Sequence, residues 1–228
     1  MSRAGTKRSA RTTGGDEEAR PRLRLPGARA PRPLLRPDTE RALTPRQREI
    51  LDELEALVAK EGLADLTMAE IAARMNCSLR TLYGIAPSKD ELVLIVVDRS
   101  LHRIGRAAIA GLDGAMSPLD ALRAYLRAAH EAVQPTTAAF ARDFARVPGA
   151  TRLVDAHRSY LTAVAQSLLD RAVAEKQIRP VDTAAIAHVL GGLGREFARP
   201  EVAEIAAASP KATADAITDV ILLGLERA

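Results

Sequence analysis

Between Ser78 and Lys89 the chain gathers side chains suited to contact with a nucleic acid. Arg80 offers a guanidinium whose forked donors match O6 and N7 of guanine. Leu79 and Thr81 can touch thymine methyl groups, and Tyr83 and Lys89 can reach phosphate oxygens. Lys89 also stands at a helix start, where free N–H groups favour an anion. Thr67 and Ser78 hold equivalent places at two earlier helix starts, where plain capping accounts for part of their role. Gly84 completes the set expected to face DNA: Thr67, Ser78, Leu79, Arg80, Thr81, Tyr83, Gly84 and Lys89.

These side chains need short, firmly ended helices to hold them. Thr67 and Glu70 have the spacing of a capping box, in which each side chain satisfies a backbone donor of the other residue. Ile71, Ala72 and Met75 then recur at helical spacing. Asn76 suits the left-handed residue that ends such a helix. Ser78 caps a second short helix running from Leu79 to about Gly84, with Leu82 turned inward toward Ile71 and Leu51. Pro87 breaks it, and Ser88 with Glu91 forms the next capping box. A helix, a tight turn and a second helix at this spacing form a helix-turn-helix, whose second helix enters the major groove. An earlier helix opens at Thr44, with Pro45 first and Gln47 completing its box. Its apolar stripe is Ile50, Leu51, Leu54, Leu57 and Val58, and Gly62 ends it.

The segment Arg48 to Leu92 resembles the N-terminal domain of TetR/AcrR-type transcriptional regulators. The resemblance rests on Ile50-Leu51, Gly62, Thr67, Ile71-Ala72, Ser78, Thr81-Leu82-Tyr83 and Pro87-Ser88-Lys89, and above all on the run Ser-Lys-Asp-Glu-Leu that closes it. Departures are Asn76, where the family usually has Gly, and the small or aliphatic Gly84, Ile85 and Ala86, where larger or aromatic residues are usual. The resemblance implies a homodimer on a palindromic double-stranded operator. It also implies a C-terminal domain that binds a small-molecule effector and so releases a repressor from DNA.

Composition sets the remaining bounds. Apolar residues make up 47% of 228, enough for a sizeable core, but aromatics are only 3%, so that core must be aliphatic. Residues 1–37 hold 10 Lys/Arg against 3 Asp/Glu, whereas residues 38–95 hold 7 against 11. Positive charge therefore sits in the tail, and much of the acid lies in the helix that opens at Thr44. Prolines at 21, 26, 31, 33 and 37 and the lack of apolar periodicity predict a disordered basic tail over 1–40, able to contact DNA phosphates. No apolar run is long enough to span a bilayer, so a cytoplasmic protein is expected.

Beyond Ser88 the pattern is helical throughout. A helix to about Gly111, roughly 35 Å long, can link two domains. Ser117-Pro118 opens another, broken by Gln134-Pro135, and a short helix is expected over 137–146. A long helix follows over about 151–177, then one rich in glycine after Asp182, and a last one from Ser209-Pro210 that is apolar nearly all round. The expected fold is all-α: an N-terminal three-helix helix-turn-helix DNA-binding domain over 41–95, and a C-terminal helical ligand-binding and dimerisation domain over 96–228. The helices near 182–198 and 210–226 either pack within a monomer or pair with their symmetry mates, and the resemblance implies pairing.

Candidate effector-binding residues are Tyr125, His130, Phe140, Phe144, His157 and Tyr160. The i, i+4 spacing of Phe140 and Phe144 also fits plain core, and His130 and His157, both near charged neighbours, could be exposed. No His-x-x-x-His spacing occurs, and Cys77 alone can form neither a disulfide nor a thiolate site, so neither metal nor cofactor is expected. No phosphate-binding glycine loop or spaced nucleophile and base occurs, and the chain does not read as an enzyme. Two other readings compete with a ligand-released repressor: a DNA-binding regulator without a small-molecule ligand, and a helical interaction scaffold with degenerate DNA binding.

Overall fold

The computed structural model describes residues 24–61, 63, 65–133, 140, 144–203 and 205–226. Its helices in chain order are α1 (Pro37–Ala42), α2 (Pro45–Glu61), α3 (Met68–Arg74), α4 (Leu79–Tyr83), α5 (Lys89–Ala110), α6 (Pro118–Val133), α7 (Ala150–Ala174), α8 (Thr183–Phe197), α9 (Pro200–Ala203) and α10 (Pro210–Leu225). Among the described residues there is no strand, only an isolated bridge between Ile178 and Glu226. The fold is all-α.

The expected caps are in place. The Glu70 amide donates to Thr67 Oγ1 at 3.3 Å, and the Thr67 amide donates back to Glu70 Oε2 at 2.7 Å. Those bonds from Thr67 hold the Glu70 carboxyl below the usual carboxylate range. Asn76 takes φ 47°, the left-handed turn between α3 and α4. Ser78, Ser88, Asp182 and Ser209 each accept from the backbone three residues on. The long helix α7 stops at Ala174 because Lys176 turns left-handed at φ 59°. The expected stop at Gly62, the Gln134-Pro135 break and most of the helix expected over 137–146 lie outside the described residues.

Two apolar clusters make the core. The first joins α2, α3, α4 and the first half of α5 through Ile50, Leu51, Leu54, Ile71, Leu82, Leu92 and Val96, and takes in Phe140, Phe144, Ala150 and Leu153. The second joins α6, α7, α8 and α10 with Ala108 near the end of α5, through Leu122, Leu126, Leu168, Leu169, Leu190 and Leu222. Helix α5 thus buries its N-terminal half in one cluster and reaches the other with its C-terminal half. At 1.5 Å per residue its 22 residues span about 33 Å.

The N-terminal segment departs from expectation. Residues 24–40 are mostly exposed but are anchored at three points: Leu35 is only 4% exposed within the first cluster, and Leu25 and Ala28 pack against the second. The Leu34 amide donates to Asp98 Oδ2 of α5 at 2.8 Å. The signal was Leu34-Leu35 before Pro37, an apolar pair too short to show a period. Residues 1–23 lie outside the described residues. Leu35→Ala should destabilise the fold by about 2–4 kcal/mol, the ordinary cost of emptying a buried leucine site. Urea unfolding measures this, and an unchanged midpoint would restore the solvated tail.

Candidate nucleic-acid interface and adjoining cavity

Helix α4 is a five-residue platform with one anchor. Leu82 is fully buried beneath it, while Leu79 is 41% and Tyr83 52% exposed on the outer side. Arg80 is exposed and, among the described residues, its guanidinium has no hydrogen-bond or ion-pair partner. A free guanidinium on a rigid outward helix can make the bidentate contacts that read a base edge. Ser78 Oγ lies 2.8 Å from Thr81 Oγ1 and accepts from the Thr81 amide at 3.1 Å. These two hydroxyls therefore fix the start of the platform.

Gly84 is exposed at the end of α4. A Cβ there would lie 3.1 Å from Gln47 Nε2 and 3.3 Å from the Thr81 carbonyl. Ile85 and Ala86, which depart from the family pattern, are both buried in the first cluster. Lys89 is half-buried, and its Nζ donates to the Leu63 carbonyl at 3.4 Å. Thr67 is engaged in its capping box.

The acid of α2 is largely spoken for. Arg46 bridges Glu49 and Glu53, both at 3.1 Å, and its Nη2 donates to the Met75 carbonyl at the end of α3 at 2.6 Å. The hydrogen bonds that Arg46 donates to Glu49 and Glu53 raise its pKa further. Arg74 pairs with Glu61 at 2.9 Å, Arg99 with Asp52 at 3.1 Å, and Arg103 with Glu55. Each exposed pair is weak by itself, but together they offset the acid near the platform. The Arg46 clamp was not legible in sequence, because nothing local marks an arginine that caps a helix 29 residues away.

Beyond the platform, all six residues singled out in the C-terminal half line one cavity of about 300 Å³: Tyr125, His130, Phe140, Phe144, His157 and Tyr160. Its walls are otherwise mainly apolar, with Leu101, Ile104 and Leu190, and Arg158 and Arg195 at its edge. A groove of about 860 Å³ between α2 and α5 shares Val97, Leu101, Ile104, Ala108 and Phe140 with it. Phe140 and Phe144 stack at 5.4 Å and belong both to the cavity wall and to the first cluster. Burial pushes the Tyr125 and Tyr160 phenols up, so both stay protonated at neutral pH.

Of the two places open to the histidines, the covered one holds. His130 is 4% exposed, with Nδ1 2.8 Å from Asp215 Oδ1, and the charged neighbour that suggested exposure proves a buried partner. Burial works against the Asp215 carboxylate, but hydrogen bonds from Lys211 and His130 outweigh it and hold its pKa down. His157 Nε2 lies 2.9 Å from Oδ1 of Asp98, itself 1% exposed. Sequence reasoning missed Asp98 and His102, whose i, i+4 spacing on α5 was the available signal. Cys77 is half-buried against the first cluster, and burial raises its pKa.

A helix-turn-helix on a short capped platform, joined by one long helix to a second helical layer with its own cavity, is the architecture of a one-chain helix-turn-helix regulator. Comparison narrows the class. Residues 50–96 match the model of "Bacterial regulatory proteins, tetR family". The chain shares its fold with a transcriptional regulator from Rhodococcus sp. RHA1 (TM-score 0.62, 18% identity, covering 81% of this chain and 100% of that one). It is similar to a TetR/AcrR-family regulator from Thermobifida fusca (TM-score 0.61, 21% identity, 81% and 100%). It is also similar to a "putative fatty acid metabolism regulator" from Clostridium perfringens (TM-score 0.57, 23% identity, 78% and 99%). No curated protein sequence matches it. Residues 50–96 thus carry a domain of the tetR-family type, and the described chain as a whole shares the fold of these regulators.

Close packing around His130 can be tested directly. A Cβ on Gly194 would lie 2.9 Å from His130 Cδ2, and the ring is held by Asp215. Gly194→Ala should therefore cost about 1–3 kcal/mol through overpacking, despite the higher helix propensity of alanine. Thermal unfolding of the variant measures it.

Proposed function

We propose that the protein is a dimeric, sequence-specific repressor released from a palindromic operator by a small molecule held in the C-terminal cavity. The observation that carries the DNA reading is Arg80, exposed and unpartnered among the described residues on a helix whose other face is anchored by a fully buried Leu82. In this reading Arg80 reads guanine, Leu79 and Thr81 meet thymine methyl groups beside Gly84, and Tyr83 and Lys89 hold phosphate. Thr67 and Ser78 add contacts at two helix N-termini while capping them.

The dimer reading rests on uncovered apolar faces. On α10, Val220 is 71% and Leu223 68% exposed, and they continue a stripe of exposed Ala212 and Ala216 at helical spacing. On α8, Val189 is 51% exposed, and Gly192 has nothing within 4 Å of an added Cβ. Gly191 and Gly194, by contrast, face Leu161 and His130 within the chain. A two-fold pairing of α8 and α10 buries these stripes and sets two recognition helices on successive turns of one DNA face, or a multiple apart.

The ligand reading rests on a cavity of about 300 Å³, at the lower end of the range that small molecules occupy. It suits a mainly apolar molecule with a few polar groups for Tyr125, His130, His157 and Tyr160 to meet. Phe140 and Phe144 carry the cavity wall into the first cluster, so a ligand that moves them shifts the seating of α5. Release then requires tighter binding of the ligand to the DNA-free arrangement.

The small and aliphatic residues at 84–86 lend weight, on sequence alone, to a scaffold with degenerate DNA binding. The burial of Ile85 and Ala86 in the core supports a working helix-turn-helix instead. Arg80→Ala should lose about 1–3 kcal/mol of discrimination between operator and random duplex while folding normally. Selection of genomic fragments followed by fluorescence titration measures this: no enriched site for the unaltered protein would favour the scaffold, and undiminished discrimination in the variant would move base reading off Arg80. Val220→Asp with Leu223→Asp should convert the dimer to monomer in sedimentation, since charges cannot be buried unpaired across a two-fold. An unchanged mass would move the interface elsewhere.

A further inference from the structure

Asp98, His102 and His157 meet where three parts of the chain converge: α5 supplies the first two, α7 the third, and the segment before α1 supplies the Leu34 amide. Their ligating atoms all lie within 4.8 Å of one another. Oδ1 of Asp98 stands 2.9 Å from His157 Nε2 and 3.5 Å from His102 Nε2. Donor atoms bound at about 2.0–2.2 Å around a tetrahedral ion stand roughly 3.3–3.6 Å from one another, so only small side-chain shifts separate this group from such a shell. The two rings sit edge to face at 4.7 Å between centroids.

One observation separates this group from an ordinary buried ion pair. His102 Nε2 is buried and has no hydrogen-bond partner among the described residues, and its 3.5 Å approach to Asp98 lacks hydrogen-bond geometry. The His102 side chain is only 10% exposed. A buried ring nitrogen left unbonded is costly unless something else satisfies it. The remaining carboxylate oxygen, Oδ2, is already held by the Leu34 amide at 2.8 Å. That bond turns Oδ1 toward the two rings, as an outer partner orients a metal-binding carboxylate.

We propose that Asp98, His102 and His157 form a binding site for a divalent first-row transition metal of the zinc class. Two imidazoles and one carboxylate select such ions over calcium or magnesium, which prefer all-oxygen shells. Three protein ligands leave a position open, and Asp98 and His102 line a cavity of about 70 Å³, room for a metal-bound water at about 30 Å³. The charges around that cavity permit a cation. Arg99 and Arg103 are matched by Asp52 and Glu55, which leaves Asp98 and Glu40 facing Arg106. The ion fastens α5 to α7 and, through Leu34, to the N-terminal segment.

The test uses untagged full-length protein stripped with a chelator, and Co(II) as the probe. One equivalent of Co(II) per chain should give the visible absorption of a low-symmetry nitrogen and oxygen site, and Zn(II) should displace it. His102→Ala and His157→Ala should each weaken Co(II) binding roughly 100-fold, given that even outer-partner changes cost 10–100-fold. His188→Ala, an exposed histidine on α8, should not. The Co(II) form of the unaltered protein should also show two hyperfine-shifted exchangeable imidazole protons, a readout that stands even where a variant fails to fold. No stoichiometric cobalt band, fewer than two shifted protons, or undiminished binding in either folded alanine variant would overturn the site and leave a structural carboxylate–histidine group.

Discussion

One helix has to satisfy two cores. The N-terminal half of α5 gives Leu92, Val93, Ile95 and Val96 to the cluster beneath the recognition platform, and its last turns bring Ala108 to the cluster of α6, α7, α8 and α10. An α-helix is stiff along its axis, so neither half can turn without moving the other. The attitude of α4 is therefore set by packing at both ends of α5. Asp98 sits between those halves, a buried carboxylate that must find partners at that point. It draws on His157 and on the Leu34 amide, and so the junction between the layers is polar where its surroundings are apolar.

The recognition platform is rigid for local reasons. A five-residue helix has little stability of its own, and nucleation alone would disfavour it. Here the left-handed Asn76 fixes its entry, Ser78 and Thr81 satisfy its first donors, and Leu82 nails it to the core. Arg46 adds a clamp between α2 and the end of α3. The surface side chains of α4 are consequently presented by a frame that moves as one body with the start of α5.

Much of this was legible in the sequence, because caps and turns are local chemistry. Thr67 with Glu70, Asn76, Ser78, Ser88 and Ser209 mark helix ends by side-chain bonds to nearby backbone or by a tolerated left-handed turn, and spacing suffices to find them. The six cavity residues are recognisable by type alone, and the fold brings them to one cavity. What escaped notice depended on contacts between distant segments. Leu34-Leu35 gave no periodicity, so the strap before α1 looked like part of a solvated tail. His130 and His157 looked exposed because a charged neighbour in sequence says nothing about a carboxylate from another helix. The left-handed Lys176 ended α7 without the Gly or Asn that usually announces such a stop.

The segment from Leu25 to Leu35 touches both apolar clusters and is pinned to the middle of α5. It therefore acts as a second tie in parallel with that helix. A single linker would let the two layers swing in any direction about their junction. Two ties side by side permit rotation chiefly about the line that joins them, as two hinges on one door do. Whatever shifts one layer is thereby converted into a swing with a defined axis, and α4 is carried along a path rather than merely loosened.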